Sequence, residues 1–445
     1  MRRAWVVLLL GLGSLAAALV TGRDLYYHLA YLCTGLLLVA GLWAWATLRG
    51  LRLTRVTRSL RATVGRPLEE QFRLYNTSWL PKVWLVVRDE SDLPDHRAGR
   101  VIHSLGPHRE HAWIVRTVCQ RRGRFRLGPT VVSTGDPFGL FEFERYLGQT
   151  TSVVVYPATV PLLGFPRPRG DISGGDALRR RTHYVTTNAA GVRDYAPGDG
   201  FNRIHWPSTA RHAALIVKEF ELDPLRDVWI FLDLERDSHV PEPAREVAAT
   251  QSHLRPWWTL FTDSPLIPST EEYAIAAAAS IAEHFLRRRR AVGLVAYGQR
   301  REVIQADRGE RQLGKVLELL AVLRAEGRVP FRDVLLTESR ALARGVTLVA
   351  VSPSPRLEWA EAALLLDRAG LPVVSIVVDG ASFGGPPGAA LLVQRFGLTG
   401  IPALLLRNGD ALEAALSALP VQERPTMVHL PEPPEQAVFR HSTWQ

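Results

Sequence analysis

The chain has almost no cysteine, almost no lysine, and none of the residue spacings that mark common catalytic or metal sites. Its two cysteines, Cys33 and Cys119, exclude a disulfide framework and a cysteine-based zinc site. Lysine stands only at Lys82, Lys218 and Lys315, so the 54 basic side chains are nearly all arginine. They are spread along every segment instead of forming one stripe. Despite a net charge of +10, nucleic acid is therefore not an expected partner. No His-Glu-x-x-His pair, no complete Gly-x-x-x-x-Gly-Lys-Ser/Thr phosphate loop and no Gly-x-Ser-x-Gly elbow occurs. These absences argue against a zinc peptidase, a P-loop nucleotidase and an α/β-hydrolase.

What is present begins with two uncharged apolar runs, Ala4 to Val20 and Leu29 to Leu48. Each is long enough to cross most or all of about 30 Å of hydrocarbon as a helix. A signal peptide would explain the first run but not the second, and only Thr21 to His28 separates them, so a transmembrane hairpin over residues 1–50 is expected. Arg2 and Arg3 precede the first span. Arg49, Arg52, Arg55, Arg58 and Arg61 follow the second with no acid among them, while the connection holds Arg23 beside Asp24. The positive-inside rule then places both ends, and the body that follows, in the cytoplasm of a cell-membrane protein with two transmembrane helices.

A chain of 445 residues exceeds one ordinary core, so it is expected to be multidomain. Residues 51–160 read as short strands, among them Glu70 to Tyr75, Lys82 to Val87, Ala112 to Cys119, Pro129 to Ser133 and Ser152 to Tyr156, broken by turn residues. A β-sandwich is the expected fold there. Two segments within it are distinctive: Arg122-Gly-Arg-Phe-Arg-Leu-Gly-Pro and Asp136-Pro-Phe-Gly-Leu-Phe141. From Val228 the period changes, and strands alternate with helices to about Leu419. That alternation predicts a doubly wound α/β domain over 226–419, with a largely parallel sheet covered on both faces. Asp233 falls just past the first strand, where such sheets collect functional groups. The tail 420–445 is proline-rich and polar.

Between the two bodies, over 161–225, lies the densest run of charged and aromatic residues: Gly191, Arg193, Tyr195, Gly198, Asp199, Arg203, His205, Trp206 and Arg211. Three readings of it stand side by side. As an architectural and docking element, it would pair Asp194 or Asp199 with Arg193, Arg203 or Arg211 and use Trp206 as an apolar anchor. As a cryptic hydrolase, it would use His205 as base, Asp199 to orient it and Ser208 or Thr209 as nucleophile. As an anion site, it would hold phosphate or an acidic ligand on its arginines.

These residues resemble bacterial membrane proteins carrying the domain of unknown function 58. Their signature is Gly-x-Arg-x-Tyr-x-x-Gly-Asp, then Arg-x-Ile-x-Trp and an Ala-Arg pair. Gly191, Arg193, Tyr195, Gly198, Asp199, Arg203, Trp206, Ala210 and Arg211 match it, while Ile204 directly follows Arg203, one place early. The resemblance implies a von Willebrand factor A-like domain after the motif, and partners among MoxR-type AAA+ ATPases and transglutaminase-like membrane proteins. It also implies where a Mg²⁺ site would stand, as an Asp-x-Ser-x-Ser loop with a threonine and an aspartate from two later loops. Here Asp233 is kept, Glu235 and Asp237 replace the serines, Gly327-Arg-Val-Pro-Phe331 stands for the threonine loop, and Ser352-Pro-Ser-Pro355 lacks the aspartate. No cofactor is expected. The alternative is a Mg²⁺-dependent A-type binding domain, in which Asp233, Glu235 and Asp237 alternate so as to converge on the ion. The preferred expectation is a non-enzymatic, membrane-anchored scaffold that presents its α/β domain to a protein partner.

Overall fold

A computed structural model describes residues 2–165, 189–195, 204–212, 214–220, 227–241 and 266–417. Two helices open the chain, α1 (Arg2–Thr21) and α2 (Asp24–Leu48), joined by Gly22 and Arg23. Both are long and apolar enough to cross a membrane. The end of α2 is embedded in the body that follows, with Ala40, Ala44, Thr47 and Leu48 buried. Lys82 Nζ donates to Ala46 O at 2.6 Å and Arg145 Nη1 to Leu48 O at 3.4 Å. A helix leaves its last carbonyls unpaired and carries partial negative charge there, so two cations fit this end. Burial holds the Lys82 ammonium below its usual pKa.

A β-rich body of ten strands follows: β1 (Leu51–Thr57), β2 (Arg61–Thr63), β3 (Pro67–Asn76), β4 (Lys82–Asp89), β5 (Arg100–Leu105), β6 (Glu110–Val118), β7 (Gly123–Leu127), β8 (Thr130–Gly135), β9 (Glu142–Leu147) and β10 (Thr151–Tyr156). Where one sandwich is expected, three sheets form, with orders β1-β3-β6, β5-β4-β8-β9 and β2-β10-β7. The first two share a core in which Phe72, Leu74 and Trp113 meet Leu85, Val87, Ile102 and Val132. Period-two alternation in β3 sends Leu68, Glu70, Phe72 and Leu74 inward. The inward Glu70 is matched by Arg55, whose Nε and Nη2 reach its two oxygens at 2.8 and 3.0 Å while Nη1 meets Asp89 at 3.1 Å. His96 Nε2 stands 3.3 Å from Glu70 and 3.1 Å from Asp89. Burial raises the Asp89 pKa, but the hydrogen bonds from His96 and Ser91 and the charge of Arg55 outweigh it and hold the carboxyl below its usual value.

Next comes a small unit made of β11 (Ala189–Asp194), α3 (Trp206–His212) and β12 (Ile216–Phe220), in which the strands pair antiparallel. The remainder is an α/β body: β13 (Val228–Leu232), α4 (Thr270–Arg287), β14 (Val292–Tyr297), β15 (Arg301–Asp307), α5 (Glu310–Val322), α6 (Phe331–Glu338), β16 (Thr347–Ser352), α7 (Leu357–Arg368), β17 (Val373–Val378), α8 (Ala389–Thr399), β18 (Ala403–Leu406) and α9 (Leu412–Ser417). Its six-stranded sheet has the order β15-β14-β13-β16-β17-β18. All neighbours are parallel except the β14–β15 edge hairpin. β13, β16 and β17 are buried on both faces, as expected of central parallel strands. One face packs on α4, α5 and α9, the other on α6, α7 and α8. Gly293 in β14 is required by packing, since a Cβ there would lie 2.6 Å from the Trp229 ring. The chain leaving β10 belongs to this body: Leu162 and Phe165 join its core, and Val160 N donates to Ser280 Oγ on α4 at 3.1 Å. The boundary expected at residue 160 therefore falls inside a segment already packed on α4. The tail 420–445 lies outside the described residues.

Arg122, just before β7, joins the β-rich and α/β bodies. Its side chain is 4% exposed. Nε donates to Leu320 O at 3.1 Å and Nη2 to Leu323 O at 2.8 Å, covering carbonyls at the end of α5. The guanidinium also pairs with Glu271 and Glu272 in the first turn of α4, and Glu271 accepts from Ala325 N at 3.2 Å. One buried cation thus serves a helix C-terminus and two carboxylates at a helix N-terminus. Removing one partner of such a set leaves buried charge uncompensated. Arg122→Ala should lower stability by about 3–5 kcal/mol. Chemical denaturation of the detergent-solubilised full chain checks this, and an unchanged midpoint would mean that other contacts carry the joint.

Candidate functional site

Two regions hold the residues singled out by sequence. The first is the β11–α3–β12 unit. Tyr195 N donates to Leu215 O, and His205 N to Ile216 O, both at 2.8 Å. Ile204, Ile216 and Val217 are buried, and Thr209 Oγ1 accepts from Ile216 N at 3.0 Å. Among the described residues, these hydrogen bonds join β11, α3 and β12 to one another. Trp206, expected as an apolar anchor, is 64% exposed, and Arg211 on the same helix is exposed too. Gly198, Asp199 and Arg203 lie outside the described residues, as does the side chain of Arg193 in β11.

His205 and Ser208 do come together, with Nδ1 2.6 Å from Ser208 Oγ. The same nitrogen lies 3.3 Å from Ser208 N, where a side chain caps the start of a helix. Capping α3 accounts for the contact without any chemistry.

The second region lies beyond the carboxyl ends of β13 and β16. Asp233 is buried; its Oδ1 accepts from Glu235 N at 2.9 Å and its Oδ2 from Ser352 Oγ at 2.6 Å. Burial, only partly offset by these two bonds, pushes the Asp233 carboxyl up to about 7. Glu235 accepts from Arg356 Nη1 at 2.6 Å and from Ser238 Oγ at 3.2 Å. Asp237 is exposed on the short turn Arg236–Ser238. Alternation thus suggested convergence that the structure does not show, because each carboxylate is drawn elsewhere: Asp233 to a serine, Glu235 to an arginine, Asp237 to solvent. Among the described residues, no group of three His, Cys, Asp or Glu side chains is placed to hold a metal ion.

Three residues of this region were not singled out as partners from the sequence. Arg356 follows directly on Ser352-Pro-Ser-Pro355, and its order in the chain is the signal that was available. His239 Nε2 donates to Asp233 O at 2.9 Å and its Nδ1 lies 3.2 Å from Thr270 Oγ1, tying the loop to the start of α4. Burial holds its pKa below the usual histidine value. Gly327, expected where a threonine loop would stand, pairs with Glu235. Its amide donates to Leu234 O at 2.9 Å, and a Cβ would lie 2.1 Å from Tyr297 O. Only glycine fits so close an approach.

Between this loop and the start of β7 opens a cleft of about 720 Å³ lined by Arg121, Arg236, His239, Ser269, Glu272 and Arg324, among others. The stretch Gly309 to Lys315 has Gly-x-x-x-x-Gly-Lys spacing but is followed by Val316 and not by a hydroxyl residue. After its cap residue Gly309 it lies within α5, with Val316 in the core, and so forms no phosphate loop.

Together these features define a chain with two apolar N-terminal helices, a β-rich body with several sheets, and an α/β sheet with Asp233 and Glu235 hydrogen-bonded at its carboxyl end. Residues 191–250 match the model of DUF58, a protein family of unknown function. The uncharacterized protein YeaD of Bacillus subtilis (strain 168) is 23% identical over 341 residues, covering 73% of this chain and 76% of that one. Among solved structures, the CARDB domain of the PF1109 protein from Pyrococcus furiosus aligns with 24% of this chain and 86% of its own at 16% identity and a TM-score of 0.18. Spo0M, a sporulation control protein of Bacillus subtilis, aligns with 24% of this chain and 50% of its own at 11% identity and a TM-score of 0.16. Scores this low define no shared fold.

The buried Asp233 makes stability depend on pH. Its folded pKa is raised above the unfolded value, so its contribution is fully present below the unfolded pKa and is lost as pH rises towards about 7. Asp233→Asn removes the titrating group. The difference in thermal midpoint between the native chain and this variant should shift in favour of the variant from pH 4 to pH 7 and level off above. A difference flat across that range would show that Asp233 is ionised throughout.

Proposed function

We propose that the chain is a non-enzymatic, membrane-anchored scaffold. Its two N-terminal helices span the cell membrane, and its body lies on the cytoplasmic side, where the arginines after the second span place it. The α/β body is read as a von Willebrand factor A-like domain. Support for that reading comes from the strand order and from Asp233 at the end of the central strand. The observation that carries the scaffold reading is the Arg356–Glu235 pair, in which a cation of the chain itself takes up the charge of Glu235. A loop satisfied in this way favours a presenting surface over a Mg²⁺-dependent binding site.

The partner proposed is a protein, an AAA+ ATPase of the MoxR type, with other membrane proteins in the same assembly. The signature unit offers the contact, since Trp206 and Arg211 are exposed on one short helix. Exposed tryptophan and arginine are the residues that most often anchor protein interfaces. Affinity capture of the full chain from detergent-solubilised native membranes should recover an ATPase, and Trp206→Ala with Arg211→Ala should reduce its recovery. Equal recovery with the double variant would remove the signature unit from the interface, and absence of any ATPase would sink the partner assignment.

A second reading has one observation in its favour, the 2.6 Å contact of His205 with Ser208. Hydrolysis through that pair requires that ester turnover by the purified chain be lost in both Ser208→Ala and His205→Ala. No turnover, or turnover that survives both changes, rejects it.

A further inference from the structure

The segment Asp136-Pro-Phe-Gly-Leu-Phe141 is distinctive in sequence and takes no part in the scaffold reading so far. Asp136 builds it into a rigid turn: Oδ2 accepts from Phe138 N at 2.8 Å, and Oδ1 accepts from Leu140 N at 2.8 Å and Phe141 N at 2.6 Å. Leu140 is buried, and Phe141 faces α2, where a Cβ on Gly41 would lie 3.7 Å from its ring. A Cβ on Gly139 would lie 3.2 Å from Arg3 Nη1 at the start of α1. The turn therefore touches both helices of the hairpin. Phe138, at its tip, is 56% exposed. The turn is tightly bonded around it, so this exposure is not slack.

The helices place that tip at a definite depth. From Asp24 to Gly41, and from Thr21 back to Arg3, each helix rises about 26 Å at roughly 1.5 Å per residue. Arg3, Gly41 and the 136–141 turn therefore stand at one level, close to a hydrocarbon thickness of about 30 Å from the Gly22–Arg23 turn. Beyond that level one face of α2 is covered by the body, while Trp45 stays 48% exposed. Ala44, Thr47 and Leu48 are buried, Lys82 caps Ala46 O, and Arg145 reaches Leu48 O.

We infer that the 136–141 turn is a membrane-contact element, with the Phe138 ring inserted into the bilayer at the headgroup–acyl boundary beside Arg3. The lipid surface is the occupant because the turn is continuous with the two apolar helices and shares their arginine-marked end. An aromatic ring next to a cationic side chain suits that zone. Contact there holds the β-rich body close against the membrane, not swinging on a tether. This inference rests on the reading of the two helices as membrane spans.

The test uses the full chain in lipid nanodiscs. Phe138→Cys is labelled with an environment-sensitive fluorophore, and Leu398→Cys, on the exposed surface of α8, is labelled as the reference; the native Cys33 and Cys119 are buried. With lipids carrying a nitroxide at the headgroup, emission from position 138 should be lost while that from position 398 persists. Equal quenching at the two positions, in a chain that stays with membranes through carbonate extraction, overturns the lipid contact and leaves the anchor standing. Release of the chain by carbonate overturns the anchor and this inference together.

Discussion

The guanidinium of Arg122 is the interaction on which the arrangement of this molecule turns. It leaves the β-rich body and ends among groups that cannot satisfy themselves: carbonyls at the end of α5 and two carboxylates in the first turn of α4. Helix α4 packs directly on the central strands, and α5 joins it on the same face. A planar cation with five donors in a fixed fork thus ties the sheet to the β-rich body, beside the packing of Leu162 and Phe165 in the α/β core. At the opposite end, Lys82 and Arg145 hold the last turn of α2 by the same logic of a cation on unpaired carbonyls.

Arginine recurs as a counter-ion, with its side chain buried at Arg55 and Arg122 and 43% exposed at Arg356. Arg55 satisfies Glu70 and Asp89 inside the β-rich body, Arg122 satisfies Glu271 and Glu272 between bodies, and Arg356 satisfies Glu235 beyond the sheet. Arginine keeps its charge when buried and can bind a carboxylate through two parallel bonds, whereas a buried lysine loses its proton more readily. Arginine thus suits the two buried places, at Arg55 and Arg122. Asp233 differs from these carboxylates: among the described residues it is matched by a hydroxyl and an amide instead of an arginine, and burial raises its pKa.

Much of the fold was legible before any coordinates. Uncharged runs of helical length marked α1 and α2 to within a few residues at each end. Alternation marked β3, β4, β6, β8 and β10, and the change of period near Val228 marked a largely parallel sheet with helices on both faces. The elements overlooked share a physical character. β5, β7 and β9 are short and charged and contribute few residues to the core, so their apolar signal is weak. β15 is an edge strand of charged and apolar residues. The candidate site was less legible. The types at 233, 235 and 237 were plain, but their divergence was not, since Ser352 and Arg356 lie about 120 residues further on.

Sequence alone determined what depends on local order. It set which segments are apolar enough to form membrane-length helices, where the backbone period is two and where it is helical, where turns must fall, and which absent spacings exclude familiar chemistries. Tertiary structure alone decided what depends on charges meeting across distance. It showed that Arg122 bridges the two bodies; that Arg356 occupies Glu235; that His205 caps a helix; and that the Asp136 turn lies against both N-terminal helices. The reason is physical: periodicity is written along the chain, whereas the partner of a buried charge is chosen by packing, and packing brings together residues that the sequence holds far apart.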